Sequence, residues 1–331
     1  MNKLLAQTID RLAIDILSPR FNASEAFTGR NRLLLESPPI PPKRIIKTPK
    51  LFLKRVKVKG SIDIYDYAFP SRVETPHVKN NTVYGRYYKL NNGAPKSTVI
   101  LLHGIFESRH WYQEKHALNI VKSGHNCLIM TLPYHVERAA KGQSGSQFIS
   151  TDLKSIFEAL QQGMKDVMAL INWLVANGEK KIGLMGVSLG GLVAGLVASA
   201  SRRINYLVLL APSTTPLQIT GYVRAGRVMD NRVKSTGLSK DQLFELFDPW
   251  RLLYHKPHVV PSDRTFIINA VHENALPDDS VENVWGAWGK PRISRYEHGN
   301  LSILTTRRVF RDISTFLGEA FTPRKSAGLS K

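Results

Sequence analysis

The segment that decides the fold is residues 181–191, which read KIGLMGVSLGG. Its apolar first half predicts a buried strand over Lys181–Gly186, and the aliphatic residues after it predict a helix over Leu189–Ser201. Ser188 lies at the junction between the two. A serine at a sharp strand-to-helix turn is a candidate nucleophile, because the turn lifts its hydroxyl out of the edge of the sheet. The alternative interpretation of Ser188 is an ordinary helix N-cap.

Two glycines flank this serine, Gly186 and Gly190. The turn forces the serine into a strained backbone conformation, in which side chains two residues before and after it would collide. Gly191 and Ala194 continue the small surface along the helix, so the helix is expected to lie close to the sheet.

The chain around this segment alternates strands with helices. Continuous apolar runs predict buried strands, and amphipathic stretches predict the covering helices. Strands are predicted at about 62–67, 82–90, 98–102, 127–132, 206–210, 264–271 and 292–296, and helices at about 109–122, 153–174 and 303–317. The alternation predicts an α/β fold with a mostly parallel, doubly wound sheet.

Two stretches depart from the alternation. Residues 1–60 are predicted to be a basic N-terminal extension, followed by one domain over residues 61–331. Within that domain, residues 212–263 separate two strands, are rich in aromatic residues and include helical pieces such as 240–247. An insertion of this size is usually functional, and we interpret it as a helical cap over the active site.

A serine hydroxyl needs an adjacent base, and His298 is the candidate. It follows the strand at 292–296, and sites in parallel sheets lie at the carboxyl ends of strands. The base needs a carboxylate, for which Glu273, after the strand at 264–271, is preferred. Asp278 and Asp279 in the same loop compete with Glu273. The alternatives are a surface histidine and a solvated acid.

The developing oxyanion needs two amide donors. One is expected to be the N–H of Leu189, at the N-terminus of the helix, where the helix dipole helps. The other is expected from the loop after the strand at 98–102, with the amide of Ile105 preferred. His103, in the same loop, is interpreted as structural.

On these residues the chain resembles the α/β-hydrolase superfamily over roughly residues 80–320. The resemblance implies a serine esterase or lipase-like hydrolase that works through a Ser-His-Glu triad and an acyl-enzyme, without metal or organic cofactor. In the family the acid commonly stands four residues before a proline, as in D-x-x-V-P, and here glutamate replaces the usual aspartate. The segments that carry the match are Leu102–Gly104, Gly186–Gly191, Glu273–Pro277 and His298–Gly299.

The chain has 46 Lys and Arg against 26 Asp and Glu, a formal net charge of +20. Such a field favours anionic partners, although a solvated basic surface is the alternative. No zinc-finger, RRM or helix-turn-helix signature is present, so no nucleic acid is expected. The expected partner is a small-molecule or lipid ester substrate. A second hypothesis is a non-catalytic binding protein with an inherited hydrolase fold.

Residues 1–60 contain 13 Lys or Arg and 4 Asp or Glu, a local net charge of 13 − 4 = +9. Together with apolar residues at helical spacing, this charge suggests a weak peripheral anchor on anionic membranes. The competing interpretation is that the apolar stripe packs on the domain and the charges are solvated. No run is apolar enough to span a membrane or to serve as a signal peptide, so a cytoplasmic location is expected. The stripe consists of Ile9, Leu12, Ile16 and Leu17.

Cys127 is the only cysteine, which excludes a disulfide within the chain and a multi-cysteine metal site. It lies in an apolar run and is expected to be buried and inert.

Overall fold

The computed structural model describes residues 2–8, 46–105, 107, 109–140, 144–145, 153–216, 218, 242, 245, 247–257, 260–272 and 280–320. Within these residues nine strands form one mixed sheet, in the order β1-β2-β3-β5-β4-β6-β7-β8-β9. The strands are β1 (Phe52–Lys59), β2 (Ile62–Pro70), β3 (Thr82–Leu90), β4 (Thr98–Leu102), β5 (Asn126–Met130), β6 (Ile182–Val187), β7 (Ile204–Leu210), β8 (Thr265–Ala270) and β9 (Arg292–Tyr296).

The sheet has an antiparallel side and a parallel side. β1, β2, β3 and β5 pair antiparallel in that order. From β5 through β4 and on to β9, every neighbouring pair is parallel. The predicted mostly parallel sheet is confirmed.

Helices cover both faces of this sheet, as predicted. On one face, α2 and α3 share a core with residues of β4, β5 and β6, and on the other face α1 and α5 pack against residues of the same strands. Because helices cover both faces, every residue of β4, β5, β6 and β8 is buried. The helices are α1 (Trp111–Lys122), α2 (Leu153–Ala176), α3 (Leu189–Ala200), α4 (Val281–Ala287) and α5 (Arg307–Ala320).

The ends of two helices differ in how well they follow the sequence pattern. α2 ends at Ala176, two residues beyond the predicted end, and Gly178 just after it takes a positive φ of 84°, as glycines at helix C-termini commonly do. α5 begins only at Arg307 and runs to Ala320, whereas the sequence predicts a helix at about 303–317. The residues just before α5 form a separate short 3₁₀ helix, Ser302–Thr305, which shares the apolar pattern of the helix.

The last part of the predicted N-terminal extension belongs to the sheet. β1 lies within residues 1–60 and pairs with β2 through the turn at Gly60. All eight of its residues are exposed. The predicted apolar stripe at 9–17 lies outside the described residues.

The described part of the segment that we interpret as a cap packs on α2. Phe247 and Trp250 are buried, and their rings lie 5.2 Å and 5.0 Å from the ring of Phe157. Residues 219–241 of the predicted cap lie outside the described residues.

Cys127 is fully buried in β5, where burial raises the pKa of its thiol. The prediction of a buried cysteine is therefore confirmed. In the part of the chain that the structure describes, no helix has the length and apolarity that crossing a membrane requires.

Candidate active site

Ser188 forms a sharp turn between β6 and α3. Its backbone has φ 49° and ψ −115°, a conformation that non-glycine residues rarely adopt. A methyl group at Gly186 would lie 2.1 Å from the carbonyl oxygen of Gly190, so only glycine fits there. A methyl group at Gly190 would lie 2.5 Å from the carbonyl oxygen of Leu102. The turn is partly exposed at Ser188, whereas both neighbours of the serine are buried.

Loops from two other strands meet this turn. The loop after β4 passes so close that a methyl group at Gly104 would lie 3.4 Å from Ser188 Cβ. From the loop after β7, the Ser213 amide donates to the Ser188 carbonyl at 3.0 Å, and the two Oγ atoms lie 3.4 Å apart. Sequence reasoning missed Ser213, although its position after the carboxyl end of β7 was a signal.

The two predicted oxyanion donors lie on these elements. Leu189 is the first residue of α3, so its N–H has no helical carbonyl four residues earlier to bond. Ile105 lies in the loop after β4 and is partly buried. The neighbouring amide is already engaged, because Gly104 N–H donates to the hydroxyl of Tyr112 at 2.8 Å.

His103 holds the peptide group that carries the Ile105 N–H. The ring is fully buried, and its Nε2 accepts from the Leu132 N–H at 2.9 Å. Nδ1 therefore carries the proton and donates to the carbonyl of Gly104 at 2.7 Å. Burial keeps the pKa of His103 well below its usual value, so the ring is neutral. These bonds agree with the structural role expected of His103.

His298 follows β9 and is partly exposed. Its Nδ1 lies 3.3 Å from Ser302 Oγ, which also contacts the Gly299 carbonyl at 3.3 Å as a donor. The Ser302 hydroxyl has one proton for these two partners, so the tautomer of His298 decides which atom donates in the Nδ1–Oγ contact. With the proton on Nδ1, Nε2 is the basic nitrogen.

The candidate acids Glu273, Asp278 and Asp279 lie outside the described residues. His272 is the last described residue before Glu273, and its amide donates to the carbonyl of His298 at 3.1 Å. His272 Nε2 also lies 2.9 Å from a carboxylate oxygen of Glu297. The loop that leads to Glu273 is thus bonded to the loop that carries His298.

Glu107 is a buried carboxylate in the loop after β4 that sequence reasoning missed. It follows Ile105 by two residues and is only 5% exposed. Burial raises the pKa of its carboxyl to about 7, while hydrogen bonds from its neighbours oppose that rise. Among the described residues no group of three or more His, Cys, Asp or Glu side chains could hold a metal ion.

This fold, with a strained serine turn at the carboxyl end of its central strands, defines an α/β-hydrolase. The chain belongs to the family "Alpha/beta hydrolase domain containing 18", whose sequence profile matches residues 66–242, just over half of the chain. The uncharacterized protein Rv2627c of Mycobacterium tuberculosis strain H37Rv is 27% identical over 199 residues. That match covers 60% of this chain and 47% of the mycobacterial protein, so the chain spans about half the length of this relative.

Solved structures of esterases share the fold. Acetyl xylan esterase 1 from Thermoanaerobacterium sp. JW/SL YS485 has a TM-score of 0.62 at 16% identity, covering 83% of this chain and 89% of its own. The acetyl xylan esterase from Paenibacillus sp. R4 has a TM-score of 0.60 at 14% identity, with 83% and 90% coverage. At these identities the likeness establishes the fold alone.

Proposed function

We propose that the protein is a serine hydrolase that cleaves carboxylic esters through Ser188, His298 and Glu273. The observation that carries this proposal is the backbone of Ser188, whose φ of 49° presents a partly exposed hydroxyl at the start of α3. An ordinary N-cap serine has extended backbone angles instead, and Ser188 makes no side-chain cap bond to its own helix. The geometry thus favours the nucleophile over the N-cap.

The proposed reaction begins with proton transfer. His298 Nε2 takes the proton of Ser188 as Oγ attacks the ester carbonyl. The N–H groups of Leu189 and Ile105 stabilise the negative oxygen of the tetrahedral intermediate, and Glu273 stabilises the imidazolium. His298 then gives its proton to the leaving alcohol. Water activated by His298 hydrolyses the acyl-enzyme and restores Ser188.

The preference for esters over amides rests on the fold, since ester cleavage is the commonest chemistry of α/β-hydrolases, and the neighbours above are described as acetyl xylan esterases. A small-molecule ester and a lipid ester both fit this proposal. The second candidate is a non-catalytic binding protein that has kept the fold. Complete serine, histidine and acid candidates in the sequence favour the enzyme.

A fluorophosphonate probe and a series of p-nitrophenyl esters of increasing acyl length test the proposal. The wild-type protein is expected to react covalently with the probe and to turn over at least one ester. Ser188→Ala should lose both properties and keep its fold, as judged by circular dichroism and thermal unfolding. Wild-type protein that neither reacts with the probe nor hydrolyses any ester would favour the binding protein.

A further inference from the structure

The carboxyl group of Glu107 is enclosed in the loop after β4 and takes no part in the proposed reaction. In each of its described hydrogen bonds the carboxyl group is the acceptor. The Arg109 amide donates to Oε1 at 3.0 Å, and Gln113 Nε2 donates to Oε2 at 2.9 Å. The hydroxyl of Tyr112 is the third group that acts on the carboxyl, since its interaction opposes the rise in the pKa of Glu107 and raises the pKa of Tyr112 itself. All three partners lie at the start of α1 or just before it, so they fix the carboxyl group relative to that helix.

The Tyr112 hydroxyl connects this carboxyl group to the loop beside the nucleophile. A phenol has one proton to donate and lone pairs to accept. Gly104 N–H donates to the Tyr112 oxygen at 2.8 Å, so the proton of Tyr112 points toward Glu107. The chain of bonds therefore runs from the Gly104 amide through Tyr112 to the carboxylate. Tyr112 and Glu107 are each only 5% exposed, which leaves water little access to replace either bond.

We propose that Glu107 is a positioning residue for the oxyanion donor at Ile105, acting through Tyr112 on Gly104. The Ile105 N–H and the Gly104 carbonyl belong to one planar peptide group, so the direction of the N–H is fixed when the carbonyl is held and when φ and ψ of Gly104 cannot rotate. Tyr112 holds the amide side of Gly104 at 2.8 Å, and His103 holds the carbonyl side at 2.7 Å. This inference rests on the proposed function, because an oxyanion donor matters only if Ser188 attacks a carbonyl.

The side chain at position 107 must accept hydrogen bonds and carry no N–H group. Glutamine has the shape of glutamate, but it brings two N–H groups into a site already surrounded by donors. At least one of them would face another donor or displace the Tyr112 proton. Glu107→Gln thus changes hydrogen-bond polarity at nearly constant volume. Tyr112→Phe removes the connecting hydroxyl and leaves the Glu107 carboxyl in place.

Kinetics of the two single variants and the double variant test the connection. Each single variant is expected to lower kcat about tenfold with little change in KM, because a misdirected oxyanion donor weakens transition-state binding. If Glu107 acts through Tyr112, the double variant should lose no more than Tyr112→Phe alone. Losses that multiply, or an unchanged kcat in Tyr112→Phe, would overturn the proposal. Tyr112→Phe also serves as the test if Glu107→Gln fails to fold.

A matched control and a pH profile separate positioning from general stability. Glu114 lies on α1, the helix that also carries Tyr112. Its side chain is 41% exposed and paired with Arg86, so Glu114→Gln should leave kcat unchanged. The groups that face Glu107 are the Arg109 amide, His110, Tyr112 and Gln113. Since the pKa of Glu107 is raised to about 7, kcat/KM of the wild type should show an inflection near that pH that Glu107→Gln lacks. Identical profiles in both proteins would contradict the inference.

The same experiments distinguish this inference from the proposed function. If the wild type hydrolyses esters and Ser188→Ala does not, while Glu107→Gln and Tyr112→Phe match the wild type, only the positioning role fails. If the wild type has no Ser188-dependent activity, the proposed function fails first.

Discussion

The amide of Ser213 donates a hydrogen bond to the carbonyl of Ser188 at 3.0 Å, and their hydroxyl oxygens lie 3.4 Å apart. Two serines from neighbouring loops therefore share the centre of the candidate site. They differ in access, since Ser213 is fully buried and Ser188 is partly exposed. A covalent probe should consequently discriminate between them.

We expect Ser188→Ala to lower kcat by about 10⁴-fold or more, and Ser213→Ala to stay within about tenfold of the wild type. Ser188 forms the covalent bond in the proposed reaction, whereas Ser213 contributes a weak contact to its hydroxyl. Mass spectrometry of fluorophosphonate-treated protein should locate the adduct on the peptide with Ser188. An adduct on Ser213 would reverse the assignment.

The triad acid can be identified among three carboxylates. Glu273→Gln should reduce kcat strongly, because His298 loses the charge that stabilises its imidazolium form. Asp278→Asn and Asp279→Asn, in the same loop, serve as matched controls with much smaller effects. Steady-state kinetics decides the question, and a larger loss at Asp278 or Asp279 would move the role away from Glu273.

The turn at Ser188 should tolerate no side chain at Gly186. A methyl group there meets backbone oxygen at 2.1 Å, which no rotamer change can relieve, so Gly186→Ala should cost about 3 kcal/mol or more. Gly318 in α5 is the control, since a methyl group there meets nothing within 4 Å. Gly318→Ala should stabilise the protein by about 0.5–1 kcal/mol, because alanine favours helix. Urea unfolding measures both, and a stable Gly186→Ala protein would contradict the described turn.

Glu107 should also make stability depend on pH. Its pKa is raised to about 7 in the folded protein, from an ordinary value of 4.5, so the folded state binds more protons between these values. Stability from this group is thus present at low pH and decreases as pH rises toward 7, by up to about 3 kcal/mol. The wild type should therefore lose stability between pH 5 and pH 8, whereas Glu107→Gln lacks this loss. The free energy of unfolding of the variant minus that of the wild type should increase over this range. A difference independent of pH would place the carboxyl in a solvated environment.

Membrane association stays a prediction. Of the basic residues 1–60 that motivate it, the strand β1 is part of the described structure. Every residue of the strand is exposed, and Lys54, Lys57 and Lys59 lie on one face, since they pair with Asp66, Ile64 and Ile62. Exposed apolar residues Phe52, Leu53, Val56 and Val58 interrupt the charges. The protein should co-sediment with phosphatidylserine-containing vesicles at low salt and less at 0.15 M salt, near the physiological range.

Charge reversal tests β1 without removing a strand from the sheet. Changing its three lysines to glutamate should reduce vesicle binding at least about tenfold at low salt. Reversing the exposed Lys115, Lys122 and Lys180 instead should have a smaller effect. Equal binding of all three proteins, or none by any of them, would remove the membrane from the description of this protein.

The sequence predicted the buried part of the sheet well, because strands covered on both faces read as uninterrupted apolar runs. It did not predict β1, whose alternation of lysine with aliphatic residues resembles a solvated basic segment and whose pairing depends on β2. α4 was missed for a related reason, since seven residues are too short for a clear period and its start depends on the cap at Ser280. Short or exposed elements take their structure from partners that a local pattern does not contain.

The same distinction holds for the candidate site. The strained turn was predictable, because its glycines lie within two residues of Ser188. The contacts of Ser188 with Ser213 and of Gly104 with Tyr112 were not, because they depend on how separate loops and a helix pack together. His298 and Glu273 remain predictions from their places after β9 and β8.

The backbone of Ser188 has a consequence for how this chain could change. A residue held at φ 49° and ψ −115° raises the free energy of the folded state by about 1–3 kcal/mol, and glycine would lower that cost. Selection for thermal resistance alone would therefore favour replacing Ser188. Retaining a serine at this position makes sense only under a second selective pressure, and a thermostabilised variant obtained without an activity screen is expected to lose the nucleophile early.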